Sequence, residues 1–325
     1  MQYRFTQTIL HSPYMKDISK SEHLKYTGVI IESYGDQVKG PFKPVDEQEG
    51  RNALLTYGTD LLYMGGELGI HGYNHQPLVP PGYQNDEPDY VPWQNEDDME
   101  EALTEINRYV HEAFPKYKFR AYVPPSNILS PQGREAILES LPDIRILSSL
   151  YDGSAEEEAY YQEFQREENG VYDIPRITAG YNPTGLDLYF ECTVITSIGV
   201  FNHFVHPDEL FYEESKDKTW HMMKEGLQEF LKQIDSRYGW LTAVTASESL
   251  PYFDSYFNLD YRVLRKPDEL EIHCWNYTHE ASFLLRSTKE VASSKDCHVQ
   301  KIGDEMYFVK ITGPEAHIYW KGSSL

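Results

Sequence analysis

Basic side chains are scarce in this chain. Lysine and arginine number 29 against 52 aspartates and glutamates in 325 residues, a formal charge of -23. Nucleic acid and anionic membrane surfaces are recognised through a basic footprint, so neither is expected as a partner. An acidic surface serves solubility and also tolerates a cationic sugar polymer. Cysteine is nearly absent: Cys192, Cys274 and Cys297 show no CxxC spacing, which excludes a zinc-knuckle framework. Cys274 and Cys297 are either a pair in an oxidising compartment or two ordinary buried thiols. No apolar run approaches the roughly 20 residues that span a bilayer, so no membrane insertion is expected within the chain. The opening MQYRFTQTIL has neither a basic n-region nor an apolar h-region and does not read as a signal peptide. HExxH is missing, which removes the commonest zinc-peptidase signature. Internal repeats and low-complexity tracts are absent too.

Hydrophobic residues make up 40% of the chain and the mean hydropathy is -0.59. That balance fits a globular protein long enough for one large α/β domain and a small second one. Strands are expected over 26–33, 66–70, 119–123, 144–150, twice within 186–206, and over 240–246. Helices are expected over 51–63, over 96–114, from Ser130-Pro131, and over 216–236. The helix over 96–114 is the clearest: Met99, Leu103, Ile106, Val110 and Phe114 follow the 3/4 spacing behind an acidic first turn. Ser130 followed by Pro131 reads as an N-cap with proline at the first helical position. Proline-rich 76–94 reads as a long loop of the kind that lines binding sites, and 153–170 as acidic and solvated. Alternation of strands and helices to about residue 250 predicts an α/β layered or barrel fold. Beyond it, short alternating runs broken by Gly, Pro, Asp and Ser predict a small antiparallel β domain. The expected domains are therefore 1–250 and 251–325.

The most informative stretch is GGELGIHGYNH, Gly65 to His75. His71 and His75 are four apart, and on a helical turn they would share one face and grip one divalent ion. This stretch resembles the metal-binding motif of the polysaccharide deacetylases, the NodB-homology or carbohydrate esterase family 4-like group. Glu67, Gly69, His71 and His75 fit its short strand ending in His-x-x-x-His. Arg120-Ala121-Tyr122-Val123-Pro124-Pro125 resembles the family's Arg-x-Pro-Pro/Tyr motif with looser spacing, and an arginine fork suits the task of orienting a carboxylate. FNHFVHPD, Phe201 to Asp208, resembles the late-strand histidine motif. His203 and His206 are three apart and face opposite sides of a strand. His206 stands at the strand's C-terminal end, where α/β active sites gather, and is preferred; His203 is second. Asp208 then orients that imidazole or caps the next helix.

The resemblance implies an α/β fold: a distorted (β/α) barrel of the NodB-homology type with a small C-terminal antiparallel β domain. It implies removal of N-acetyl groups from an amino-sugar polysaccharide, with a divalent metal, zinc, on His71 and His75 and one carboxylate. A bound metal lowers the pKa of its water. Arg120 would hold the base, and His206 would protonate the departing amine. Tyr73, Tyr122, Pro124 and Asn127 would contact sugar, with Ser126 a weaker candidate. The variant looks closest to deacetylase domains of bacterial exopolysaccharide systems of the Pel type. That implies a cell-envelope or extracellular location, with other assembly proteins as partners. With no signal peptide, the chain is either cytosolic or a fragment of a longer precursor, and the lack of a recognisable first element of the fold before the His pair favours the fragment. The family's opening motif is a strand ending in Asp-Asp, and none precedes His71; Asp97-Asp98 lies after it. The carboxylate is then upstream of Met1, or is Asp17, Glu32 or Asp36, and Asp17 is taken as the base within the chain. The same gap keeps two other classes open: a non-catalytic carbohydrate-binding relative and a paired-carboxylate glycoside hydrolase.

Overall fold

Capped helices and very short buried strands alternate through the first part of the chain. The computed structural model describes residues 12–32, 34–43, 47–83, 90–149 and 163–322. Helix α1 (Ser12–Glu22) leads to strand β1 (Thr27–Ile30). Helix α2 (Glu47–Ala53) runs through a π-helical turn, Leu54–Gly58, into α3 (Thr59–Tyr63), so the helix expected over 51–63 is present with an insertion at its middle. Strand β2 (Glu67–Ile70) is buried at every position. Its Gly69 allows close strand approach: a Cβ there would lie 3.1 Å from the Ala121 carbonyl. In helix α4 (Glu96–Ala113), Asn95 caps the Asp98 N–H, and Met99, Leu103, Ile106 and Val110 form the buried stripe. Strand β3 (Ala121–Tyr122) precedes helix α5 (Pro131–Ser140), which Ser130 caps as the sequence predicts.

Strands β4 (Ile146–Leu147), β5 (Gln165–Arg166) and β6 (Tyr172–Asp173) complete a six-stranded sheet in the order β1-β2-β3-β4-β6-β5. Every neighbouring pair is parallel except β5 with β6. Strand β7 (Thr178–Ala179) pairs in parallel with β8 (His203–Phe204). Among the described residues no ladder joins this pair to the six-stranded sheet, and the architecture is mixed α/β.

Helix α6 (Gly185–Ile198) corrects the first of the two strands expected within 186–206. Its β-branched, apolar run reads as strand, but both ends carry helix signals. Thr184 and Asp187 form a reciprocal capping box, and Gly199 closes the helix at φ 76°. Helix α7 (Trp220–Tyr238) buries Met223, Leu227, Phe230 and Ile234. Residues 240–245 form no strand; they lead into helix α8 (Ala246–Asn258). The Ala246 N–H donates to Thr27 Oγ1 and the Ser247 N–H to the buried Glu67 carboxylate, so the segment meets β1 and β2 as a helix start, not a ladder partner. Glu67, a motif residue in the sequence, thus anchors a helix N-terminus.

The chain divides into two compact units, Met1–Lys232 with Ala243–Ser247, and Gln233–Thr242 with Glu248–Leu325. The second contains seven antiparallel strands: β9 (Asp260–Arg265), β10 (Glu269–Trp275), β11 (Ala281–Arg286), β12 (Val291–Lys295), β13 (Cys297–Gly303), β14 (Met306–Ile311) and β15 (Glu315–Trp320). They form a four-stranded sheet, β12-β15-β10-β9, and a three-stranded one, β11-β14-β13. Leu270, Ile272, Val309, Ile311, Ala316 and Ile318 alternate inward to make its core. Cys274 and Cys297 are free thiols in that core. Among the described residues no helix is long and apolar enough to cross a membrane.

Candidate functional site

The C-terminal ends of the parallel strands in the first unit open on a cavity of about 360 Å³. Backbone bonds carry each strand one step beyond its ladder and fix where the loops depart. The His71 N–H donates to Ile30 O at 2.7 Å, Val123 N–H to Ile70 O at 2.9 Å, and Arg176 N–H to Ser149 O at 2.6 Å. The cavity walls are therefore residues that follow β2, β3, β6 and β8: His71 and His75, Pro124 with Ser126 and Asn127, Arg176, and His206 with Asp208. Tyr34 and Tyr212 complete the rim. Three wall residues adopt left-handed backbone, His75 at φ 60°, Ser126 at 50° and Asn127 at 62°. Such conformations are disfavoured for side-chain-bearing residues and gather at sites.

His71 and His75 come together through an irregular turn, not on a helix as the spacing suggested. Their ring centroids are 5.0 Å apart. His71 Nδ1 lies 2.7 Å from the Val123 carbonyl, which can only accept, so Nδ1 carries the proton and Nε2 keeps its lone pair. Burial, then the neighbouring His75, holds His71 well below the usual imidazole range. Burial and His206 push His75 down to about 4, against the pull of Asp208. Both rings are thus neutral at physiological pH, the form that binds a metal. A lone pair fixed by a carbonyl clamp beside a second neutral imidazole fits two ligands of a divalent ion.

Arg176 is 7% exposed and lies in the wall. Its Nη2 donates to Asn127 Oδ1, and its guanidinium carbon sits 4.1 Å from the centroid of the Phe204 ring. Burial pushes it down to about 10. Ser149 Oγ holds the Asn127 carbonyl at 3.2 Å, so the arginine rests on a braced loop. His206 packs edge-on against Phe204 with centroids 4.7 Å apart, and burial lowers its pKa while Asp208 raises it. Tyr212 donates to Asp208 Oδ1 at 3.4 Å. Tyr34 lies 5.0 Å from the His75 ring.

The expected site residues divide. His71, His75, His206, Pro124, Asn127 and Ser126 line the cavity. Arg120 does not: it stands at the N-terminal end of β3, five residues before Pro125, and binds the Asp143 carbonyl at 3.1 Å. Asp17 does not either. It sits on α1, ion-paired to Lys224 at 2.8 Å and accepting from Trp220 Nε1 at 3.1 Å, and the Lys224 hydrogen bond lowers its pKa. Tyr73 is a core residue whose hydroxyl donates to Lys43 O at 2.8 Å. Tyr122 is fully buried on the central strand, and among the described residues its hydroxyl has no hydrogen-bond partner. Glu32 follows β1, but its carboxyl is buried beside Tyr73; Asp36 is exposed outside the cavity. His203 is bound to Thr178 Oγ1 at 2.7 Å and Gly180 O at 2.8 Å. Sequence reading missed Arg176, Tyr34 and Tyr212. The signal for Arg176 was present in Ile174-Pro175-Arg176, a cation following a strand and a proline, whereas Arg120 was selected through its motif resemblance and precedes its strand.

Among the described residues, the one group of three His, Asp or Glu donors within 4.8 Å of one another is Glu269, Glu271 and His317, in the second unit. Lys266 ion-pairs with both of its carboxylates, and His317 Nδ1 with Glu269 at 2.7 Å.

A bacterial family model described as "Uncharacterised protein conserved in bacteria (DUF2194)" matches residues 8–308. No curated protein matches the chain. Among solved structures, it is similar to BA3943 of Bacillus anthracis, described as a CE4 family pseudoenzyme, at 13% identity and TM-score 0.42, over 74% of this chain. The chain spans 61% of the length of that protein. A BA3943 mutant described as having restored enzymatic activity gives the same identity and TM-score. A family 4 acetyl xylan esterase from Clostridium thermocellum in complex with a cobalt ion is 11% identical with TM-score 0.43, over 74% of this chain and 84% of that one.

Proposed function

The chain belongs to the bacterial family described as DUF2194, and from its cavity we propose that it is a metal-dependent hydrolase that removes N-acetyl groups from an amino-sugar polysaccharide. The observation that carries this reading is the convergence of His71, His75, His206, Asp208 and Arg176 on one cavity. His71 and His75 would hold the divalent ion, zinc by preference, with Asp208 the nearby carboxylate. The ion would supply an acidified water and polarise the amide carbonyl. His206, in the cavity wall with Asp208, is the group suited to handing a proton to the leaving amine. Asn127, Pro124 and the rings of Tyr34 and Tyr212 offer the mixed polar and aromatic lining that sugars require. We propose a substrate outside the cytoplasm, in the cell envelope or an exopolysaccharide matrix.

The test is bound metal by elemental analysis together with acetate release from N-acetylglucosamine oligomers, in wild type and in His71→Ala/His75→Ala. Near-stoichiometric metal and acetate release, both lost in the variant, are expected. Acetate release that survives the double substitution sinks the reading. One observation favours a second reading, a sugar-binding protein without catalysis: the carboxyl of Glu32, which follows β1, is buried against Tyr73 and does not enter the cavity. Saturable binding of the oligomers by the metal-loaded protein with no acetate released would select that reading.

A further inference from the structure

A buried guanidinium needs a counter-charge. Desolvation of an ion is costly, and proteins offset it with a paired carboxylate. Arg176 is 7% exposed. Among the described residues no carboxylate pairs with it: its side-chain hydrogen bond goes to the neutral Asn127 amide, and its Nε is buried with no partner. The cavity's own carboxylate, Asp208, accepts from Tyr212. The neighbouring imidazoles of His71 and His206 are neutral or cationic and supply no negative charge. The guanidinium is also fixed in direction, clamped between Asn127 and the face of Phe204. A planar fork held this way suits a planar carboxylate.

We propose that Arg176 is the anion-recognition element of this cavity and that the glycan it takes carries a carboxylate, as a uronate-containing N-acetylated polymer does. This deepens the deacetylase reading and rests on it for the sugar class. The charge of -23 on the whole chain does not oppose it. Surface charges beyond about 8 Å are screened at physiological salt, whereas Arg176 would touch the ligand.

Calorimetry with two tetrasaccharides on metal-loaded protein tests the inference: alternating glucuronate and N-acetylglucosamine, and the neutral N-acetylglucosamine tetramer. Wild type should prefer the anionic tetramer about tenfold. That preference should shrink as NaCl rises from 50 to 500 mM, a measurement that needs no variant. Arg176→Gln should reduce the preference to within about threefold, and Arg176→Lys should keep part of it, with circular dichroism confirming the fold. Equal wild-type affinities, or a preference that Arg176→Gln leaves intact, would overturn the proposal and leave deacetylation of neutral sugars standing. Binding of neither tetramer would overturn both. An anionic preference without acetate release would support Arg176 and sink only the catalytic reading.

Discussion

Glu191 is a fully buried carboxyl on α6. Thr178 Oγ1 hydrogen-bonds it, and the same hydroxyl lies 2.7 Å from His203 Nδ1. His203 Nε2 is 2.8 Å from the Gly180 carbonyl, so that nitrogen must donate. One consistent proton arrangement has Glu191 protonated and donating to Thr178, which donates to a neutral His203. Burial pushes Glu191 up to about 8, above its unfolded value of 4.5. Its stabilising contribution is therefore complete below about pH 4.5 and lost as pH rises through about 8, at up to ~1.4 kcal/mol per pH unit. Glu191→Gln should flatten the decline in melting temperature between pH 5 and 8; an unchanged slope would mean that Glu191 does not titrate there. Legibility at this scale was uneven. His71, His75 and His206 were readable because short spacings and strand ends mark them. Arg120 and Arg176 both flank a short strand near a proline, but Arg120 precedes β3 and Arg176 follows β6, and in these parallel strands only the C-terminal end meets the cavity.

Elements with local signals were legible. The stripe of α4 and the Ser130-Pro131 start of α5 need nothing beyond their own residues. α6 misled because its residues favour strand, while the determining signals lie outside it, at Thr184 and Gly199. Thr184→Ala should cost about 1 kcal/mol in chemical denaturation, the usual value of such a cap. β12 and β13 carry a weak strand signal because most of their residues are polar and exposed, each on a sheet with one face in water. Packing between elements leaves its own mark at Gly133 on α5. A Cβ there would lie 2.2 Å from the Leu78 carbonyl oxygen, and Ser130 Oγ donates to the same carbonyl at 2.7 Å. Gly133→Ala should cost roughly 2–4 kcal/mol, because backbone must move and not a flexible side-chain tip. A loss below ~0.5 kcal/mol would show that α5 is loosely docked.

At the scale of the molecule, the antiparallel unit has a core of its own, centred on the fully buried Val309, Ile311 and Ile318. Urea unfolding should therefore show two transitions, with Val309→Ala weakening one by about 2 kcal/mol and leaving the other in place. Movement of both together would mean that the two cores melt as one. The compositional change near residue 250 was visible in the sequence because the hydrophobic period switches there from helix-like to alternating. The route of the chain between the units, through α7, 240–245 and α8, was not, because docking of Ala246 and Ser247 on Thr27 and Glu67 is a long-range event. The free thiols of the antiparallel core have a practical consequence. Cys274 and Cys297 lie on different strands and are shielded in the native state. A thiol reagent pulsed during denaturation can alkylate them only after that core opens, so the rate at which label reaches these two positions, resolved from Cys192 by peptide mapping, clocks the opening without any engineered probe.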